Sequence, residues 1–305
     1  MQAPASLRAL LEHSIDYAGM FPPCSLDLQP AIKNQAGYVR SAESWMLNSF
    51  VLSIDRFRSL KEFASYFDPS HPLKISALGP RTENARDFTK ALARVSDEIH
   101  RLSGDKADSI SVTQLEMFLP EDVEAAGLNE ARSVMEDLPA FWEAPVARAV
   151  RAIDLIAEFN LNQTRPEFGF KLRTGGVTPD AFPSSAQIAK TLVATATHQV
   201  PIKFTAGLHH PIRQFRDEVK AKMHGFLNVL GAAVLGALHN WDEKQTAAML
   251  EDENPKSFSF SDPEFTWCDG KADVDSIIAQ RKRVFSFGSC SFDEPREDLR
   301  ALNLL

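Results

Sequence analysis

The sequence predicts an α/β fold, a (β/α)8 TIM barrel in which eight parallel strands are each followed by a helix. Short β-type runs alternate with amphipathic helical runs along the chain, a pattern typical of parallel strands joined by crossover helices. The chain has 305 residues, and barrels of this class commonly occupy about 250 residues as one domain. No G-x-G-x-x-G run follows the first strand, which disfavours the competing open doubly wound sheet. We therefore expect residues 1–305 to form a single barrel domain.

The elements of the first half are predicted from apolar spacing and from capping residues. Strands are expected at 14–21, 44–54, 73–79 and 109–120. Helices are expected at 4–13, within 25–41, at 56–67 with Asp55 as the N-cap, at 83–101 and at 121–137. The first of these helices precedes the first strand, so we expect it to flank or plug the barrel.

The second half continues the alternation as far as the seventh strand. Strands are expected at 139–146, 168–173 and 200–205, with helices at 148–159 and 184–199. An extended segment then separates the seventh strand from the eighth, which is expected within 283–295. Within that segment we expect one or two helices in 209–238, then a helix, a polar stretch and another helix in 241–282. Residues 296–305 are expected to form a last short helix.

Composition limits the partners that the chain can have. The net charge of -8 and the pI near 5.5 argue against a nucleic-acid binder. The longest apolar run, 226–238, is shorter than the roughly 20 residues that cross a bilayer, so it predicts a buried helix and no membrane contact. The three cysteines form no C-x-x-C pair, and the N-terminal stretch lacks the blocks of a secretion signal. These features predict a cytoplasmic protein that acts on a small molecule, with assembly into a homo-oligomer left open.

Two lysines stand out in the sixth and seventh strands. Lys171 and Lys203 are each followed four residues later by a glycine, Gly175 or Gly207. Because side chains alternate between the two faces of a strand, the neighbouring phenylalanines face one side and the lysines face the other. Since a lysine is rarely buried without a partner, two of them on neighbouring inward faces favour a functional role over a structural one.

The carboxyl ends of the other strands add charges to the same predicted barrel mouth. The inward charged residues there are Asp16, Glu116, Glu143, Lys171, Arg173 and Lys203. Active sites of such barrels lie at this end. A second ammonium and partial burial would lower the pKa of a lysine, so that one amine could attack a carbonyl while Glu116 or Asp16 moves protons. Glu143 could instead pair with Lys171 as a purely structural ion pair.

Several segments resemble the deoxyribose-phosphate aldolase family, whose members use a lysine Schiff base. FKLRTGGVTPDAFPSSAQIAKTL resembles the Schiff-base strand of that family, and IKFTAG is similar to its next strand, where a second lysine precedes a glycine turn. FSFGSCSF resembles the final strand, which helps to hold phosphate. QLEMFLP and IDYAGMF stand where the family has an acidic residue and a first-strand aspartate, respectively.

The resemblance implies a role for each matching residue. Lys171 would form the Schiff base, Lys203 would lower its pKa, and Glu116 would shuttle protons. The phosphate-side turn residues would be Gly175, Gly207, Gly288 and Ser291. No metal and no other cofactor is implied.

Other residues are expected to contact the substrate or to support an alternative function. The full set of expected substrate-binding residues is Glu143, Arg173, Thr205, Gly175, Gly207, His209, His210, Gly288, Ser289 and Ser291. The first alternative is a metal-dependent lyase, isomerase or hydrolase, in which His209 or His210 would act with Glu116 and Glu143. The second alternative is a catalytically silent barrel that binds a small anion or a partner protein.

Overall fold

The computed structural model of the chain describes residues 3–104, 109–161 and 167–305. It contains a closed barrel of eight parallel strands, which confirms the (β/α)8 fold. The barrel strands are β1 Ile15–Tyr17, β2 Leu47–Ser53, β3 Leu73–Leu78, β4 Ile110–Phe118, β5 Ala140–Glu143, β6 Gly169–Arg173, β7 Ile202–Thr205 and β13 Val284–Ser289. β13 lies between β7 and β1 and closes the barrel. That residues 1–305 form a single domain stays a prediction.

The helices alternate with these strands as the sequence predicts. They are α1 Ala5–Leu11, α2 Leu28–Tyr38, α3 Ala85–Gly104, α4 Ala125–Met135, α5 Ala149–Asn160, α6 Ser185–Thr197, α7 Phe226–His239, α8 Glu243–Glu251, α9 Val274–Arg281 and α10 Asp293–Ala301. The outward side chains of the strands, such as Phe170, Leu172 and Phe204, are fully buried in the main apolar core. The start of α6 is fixed by a capping box, in which Ser184 and Gln187 each bond the backbone N–H of the other.

Two elements differ from the prediction because local polar contacts prevail over apolar spacing. Residues Ile54–Tyr66 form 3-10 turns instead of an α-helix, and Asp55 pairs with Arg94 of α3 instead of capping. Helix α10 begins at Asp293, three residues before the predicted start, because the Ser291 hydroxyl accepts the Glu294 N–H at 3.1 Å.

The extended segment between β7 and β13 contains strands that the sequence did not predict. β8 Gln214–Arg216 and β9 Ala221–Met223 form an antiparallel hairpin before α7. β10 Phe258–Phe260, β11 Glu264–Trp267 and β12 Gly270–Asp273 form a separate antiparallel sheet where only a polar stretch was expected. α7 is buried over its first ten residues, as predicted. In the described ranges, no helix has both the length and the apolar character needed to cross a bilayer.

Strand register determines which side chains meet at the barrel mouth. In the parallel ladder, Lys171 of β6 pairs with Lys203 of β7 on one side and with Glu143 of β5 on the other. Phe118, the last residue of β4, lies opposite Glu143. Because all eight strands are parallel, their carboxyl ends lie at one rim, and the inward charges of several strands come together there.

Candidate active site at the carboxyl end of the barrel

Four buried charged side chains and the partly exposed Glu143 form one continuous chain of ion pairs across the barrel interior. The Lys171 Nζ lies 2.8 Å from Glu143 Oε2 and 2.8 Å from Glu116 Oε2. The other oxygen of Glu116 pairs with the Lys203 Nζ, which in turn lies 2.8 Å from Asp16 Oδ2. Glu116 therefore bridges the two amines, and the order of the chain is Glu143, Lys171, Glu116, Lys203, Asp16. We call this set the ionic chain.

The inner end of the ionic chain is closed off from solvent. The Asp16 side chain is fully buried and that of Lys203 is 1% exposed. Besides the amine, Asp16 accepts hydrogen bonds from four neutral donors on three strands, β2, β4 and β13. These donors are Asn48 at 2.7 Å, Gln114 at 3.4 Å, Ser49 and Ser286. These donors and the Lys203 amine supply the hydrogen bonds that a buried carboxylate needs where water cannot reach it.

The outer end of the ionic chain faces a cavity. Glu143 Oε1 accepts a hydrogen bond from Arg173 Nε at 3.3 Å, and the Arg173 side chain is 52% exposed. A cavity of about 540 Å³ opens here, and Lys171, Glu116 and Glu143 line it, whereas Lys203 and Asp16 lie beneath its floor. Lys171 is thus the buried amine that a small molecule in the cavity can reach.

Ion pairing shifts the pKa values of Glu116, Glu143 and Lys171 towards their charged forms. Burial alone would raise the pKa of Glu116, but attraction to Lys171 and Lys203 outweighs burial and lowers it. The same balance lowers the pKa of Glu143, through Lys171 and Arg173. Burial would lower the pKa of Lys171, yet Glu116 and Glu143 together raise it above its ordinary value.

The direction of the Lys171 pKa corrects the expectation from the sequence. From the sequence, a neighbouring ammonium is expected to lower this pKa, and Lys203 does lie on the adjacent strand. However, Glu116 stands between the amines and bonds both of them. The attraction of two carboxylates at 2.8 Å therefore prevails, and Lys171 is an ammonium at neutral pH.

Four of the other expected substrate-binding residues line the cavity: Thr205, Gly207, His209 and Gly288. Gly207 has φ of +78°, in the left-handed region where a side chain would be strained, and an added Cβ would lie 2.9 Å from the Cα of Gly175. The two predicted glycine turns therefore pack against each other. Gly175 itself lies behind the cavity wall, and its neighbour Gly176 takes the lining position.

Besides Gly175, three further expected substrate-binding residues lie outside the cavity lining. His210 is buried, and its Nδ1 lies 2.6 Å from Asp298 Oδ2 of α10. The Ser291 hydroxyl caps α10, and Ser289 is buried at the end of β13. The structure thus gives His210 and Ser291 bonds within the protein.

The structure adds residues that the sequence analysis did not single out. Ser49, Ser76 and Ser286 point into the barrel and donate hydrogen bonds to Asp16 or Glu116. The signal for these serines was present, because each is a hydroxyl at an inward position of an apolar strand. Arg81 and Phe118 also line the cavity, but Arg81 lies in a loop, where strand alternation gives no information.

The residues proposed for a metal site are engaged in other contacts. His209 Nδ1 lies 3.1 Å from Glu294 Oε2, and Glu116 and Glu143 are bound by the lysines. Across 3–104, 109–161 and 167–305, no group of three or more histidine, cysteine, aspartate or glutamate side chains is placed to hold a metal ion. The donor set that the metal hypothesis needs is therefore not assembled in this part of the chain.

No protein-family model matches the chain, and a search of curated proteins also found no match. The function is therefore inferred from the geometry of the barrel mouth.

Proposed function

We propose that the protein is a lyase of the Schiff-base aldolase type, acting on a small carbonyl compound that carries phosphate or carboxylate. The observation that supports this most is the ionic chain. It holds one reachable amine, Lys171, at the floor of a cavity, between two carboxylates at 2.8 Å. The resemblance to the deoxyribose-phosphate aldolase family supports the same chemistry, and it stays a prediction.

Each residue of the ionic chain has a task in this reaction. Lys171 must first lose its proton to water or to the entering ligand, because the lowered pKa values of Glu116 and Glu143 make these two carboxylates weak proton acceptors. The free amine then attacks the carbonyl carbon to give a carbinolamine, and loss of water gives the protonated Schiff base. The Cα–Cβ bond then breaks as the β-hydroxyl group loses its proton, so that one fragment leaves as an aldehyde or ketone and the electron pair of the bond forms an enamine. Protonation of the enamine carbon and hydrolysis of the resulting Schiff base release the second product and the Lys171 amine. Glu116, whose pKa is lowered by both lysines, can return as a carboxylate after each proton transfer.

Lys203 and Asp16 support Lys171 from below. Lys203 is too deeply buried to meet a substrate, but its charge balances Glu116. Asp16, anchored by neutral donors, in turn keeps Lys203 in place. These two are therefore positioning residues, and Lys171 is the proposed nucleophile.

A second candidate is a barrel that binds a small anion without chemistry. The observation that favours it is the raised pKa of Lys171, since an ammonium is not a nucleophile. The cytoplasmic location and the assembly into a homo-oligomer are predictions from the sequence alone.

Reductive trapping distinguishes the two candidates. The protein is treated with a panel of short aldehydes and ketones and with cyanoborohydride, and modified peptides are mapped by mass spectrometry. We expect a reduced adduct on Lys171, no adduct at this position in Lys171→Met, and an unchanged adduct in Lys74→Met. Lys74 is the matched control because it lies on β3 but is exposed.

The adduct on Lys171 should form faster as the pH rises. Below the pKa of Lys171, which is raised, the rate should increase about tenfold for each pH unit. Absence of any adduct on Lys171 across the panel would exclude the lyase and leave the binding barrel.

A further inference from the structure

Arg81 is a cation of the cavity wall that the proposed reaction does not use. It follows β3, and its guanidinium carbon lies 3.8 Å above the ring centroid of Phe118, at the end of β4. Stacking on an aromatic face fixes the plane of the guanidinium and leaves its N–H edges free. Among the described residues, no carboxylate pairs with Arg81, although it lines the cavity beside Glu116 and Glu143. An unpaired guanidinium held in this way is suited to bind an anion.

Arg148 shows that this arrangement is specific to Arg81. Its guanidinium also approaches Phe118, with 5.9 Å between its carbon and the ring centroid. However, Arg148 lies 4.0 Å from the carboxylate of Glu121 and does not line the cavity. The two arginines therefore share an aromatic neighbour, but only Arg81 faces the proposed substrate.

Arg173 is the second arginine of the cavity wall and lies close to the proposed nucleophile. A single carboxylate, that of Glu143, separates them: one oxygen binds Lys171 at 2.8 Å and the other binds Arg173 Nε at 3.3 Å. With Nε engaged, the two terminal nitrogens of Arg173 remain for a ligand. An anionic group one or two bonds from a carbonyl carbon held at Lys171 would therefore reach this arginine.

The charges of the mouth indicate which ligand charge the cavity would accept. The carboxylates of Asp16, Glu116 and Glu143 are balanced by Lys171, Lys203 and Arg173, whose contacts with them are described above. Arg81 then adds one positive charge that nothing in the cavity lining offsets. A carboxylate, with one negative charge, would neutralise the mouth. A phosphate monoester carries about -1.5 to -2 at neutral pH and would leave excess negative charge beside two buried carboxylates.

We infer that Arg81 and Arg173 form a carboxylate subsite, and that the substrate is a short oxo acid whose carbonyl carbon lies at Lys171. The planar guanidinium fork matches a carboxylate through two parallel N–H···O bonds. This inference rests on the proposed Schiff-base function for the carbonyl part, while the carboxylate part depends only on the two arginines. The two parts therefore need separate measurements.

The first measurement tests the carboxylate subsite without any covalent step. Lactate and lactamide have nearly the same shape and no ketone, and only lactate is charged. Ligand-observed NMR titration of the full chain should show that lactate binds and that lactamide binds more weakly. In Arg81→Gln, lactate affinity should fall about 10- to 100-fold, as expected for loss of a charged hydrogen bond. Arg148→Gln is the matched control and should retain the affinity of the native chain. Arg81 is exposed, so its replacement should leave the fold intact.

The second measurement tests whether the carboxylate subsite promotes Schiff-base formation at Lys171. Trapping with cyanoborohydride is compared for pyruvate and for acetone, which lacks the carboxylate. We expect the ratio of pyruvate to acetone trapping on Lys171 to fall about tenfold in Arg81→Gln and to be unchanged in Arg148→Gln. The same ratio for hydroxyacetone phosphate and hydroxyacetone shows whether phosphate uses the same arginines.

The outcomes separate failure of the subsite from failure of the proposed function. If lactate binds Arg81→Gln as tightly as the native chain, or if lactamide binds as tightly as lactate, the subsite is wrong whatever the trapping shows. If inorganic phosphate binds more tightly than lactate and depends on Arg81, the carboxylate assignment is overturned in favour of phosphate. If lactate binding depends on Arg81 but no carbonyl compound is trapped, the subsite stands and the Schiff-base function is wrong.

Discussion

The two ends of the ionic chain have the same kinds of charge but opposite surroundings. At the inner end, Lys203 and Asp16 are surrounded by neutral hydroxyl and amide donors and have no access to the cavity. At the outer end, Lys171 and Glu143 line the cavity, and the Glu143 side chain is 13% exposed and shared with Arg173.

This difference shows how a barrel can enclose one lysine, Lys203, and leave another, Lys171, accessible to a ligand in the cavity. An ammonium whose partners are all buried has nowhere to send its proton, because every nearby acceptor is already engaged. An ammonium beside a partly solvated carboxylate can exchange its proton with a ligand or with water. The inner end therefore provides rigidity, and the outer end is where chemistry is expected.

The largest expected effect follows from removing the residue that both ends share. Glu116→Gln leaves Lys171 and Lys203 with one carboxylate each and without the charge between them. Breaking a buried ion pair on one side typically costs about 3–5 kcal/mol. We expect a loss of this size in the free energy of unfolding at pH 7, measured by urea denaturation.

The control for this variant is Glu121→Gln. Glu121 also pairs with arginines, Arg148 and Arg151, but its side chain is 65% exposed. Surface pairs contribute about 0–1 kcal/mol, so this change should be nearly neutral. If Glu116→Gln lowered the free energy of unfolding no more than Glu121→Gln does, the ionic chain would not stabilise the barrel mouth.

A smaller effect should distinguish the two lysines from each other. Lys203→Met leaves Asp16 fully buried with only neutral donors, whereas Lys171→Met leaves Glu143 with Arg173 and partial exposure. We therefore expect the free energy of unfolding to fall further in Lys203→Met, by about 1–2 kcal/mol relative to Lys171→Met. Denaturation of both variants in the same urea series measures the difference. Equal losses, or a larger loss in Lys171→Met, would contradict the contrast between a closed end and an open one.

The sequence sufficed for much of the barrel and for the adjacency of the lysines, and the physical reason is periodicity. Alternation along a strand fixed the inward face of Lys171, Lys203 and Glu116, and parallel register then placed the two lysines opposite each other. The same reasoning placed Glu143 beside Lys171, which the ladder confirms. Local pattern thus predicts which strand face a side chain occupies.

Local pattern does not predict which partner a side chain chooses. Glu116 reaches both amines because one carboxylate has two oxygens and the lysines approach from neighbouring strands, and this bridging reversed the expected direction of the Lys171 pKa. The hairpin of β8 and β9 was missed for a related reason, since its short strands pair only with each other and have little apolar periodicity. Arg81 was missed because its role depends on Phe118, which lies on another strand.

The smallest expected effect is a change in how the free energy of unfolding depends on pH when only the outer end of the ionic chain is altered. The pKa of Glu143 is lowered from its ordinary 4.5, so its contribution to stability is complete above about pH 5 and is lost as the pH falls below that value. The pKa of Lys171 is raised from 10.5, so its contribution is complete below about pH 10 and is lost as the pH rises further. The native chain should therefore be most stable between these limits.

Glu143→Gln should change the loss of stability at both the acid and the alkaline end of that range. The variant lacks one of the carboxylates whose protonation destabilises the fold in acid. The free energy of unfolding should therefore fall less steeply towards pH 3, by at most about 1.4 kcal/mol for each pH unit. The variant also lacks one of the two anions that raise the pKa of Lys171, so the alkaline limb, and the pH at which the amine is trapped, should both move to lower pH. Urea denaturation and trapping across pH 3–11, with Glu121→Gln as the control, measure both limbs. If the alkaline loss of stability occurred at the same pH in Glu143→Gln as in the native chain, Glu143 would not influence the pKa of Lys171. The outer end of the ionic chain would then be no more accessible to proton exchange than the inner end.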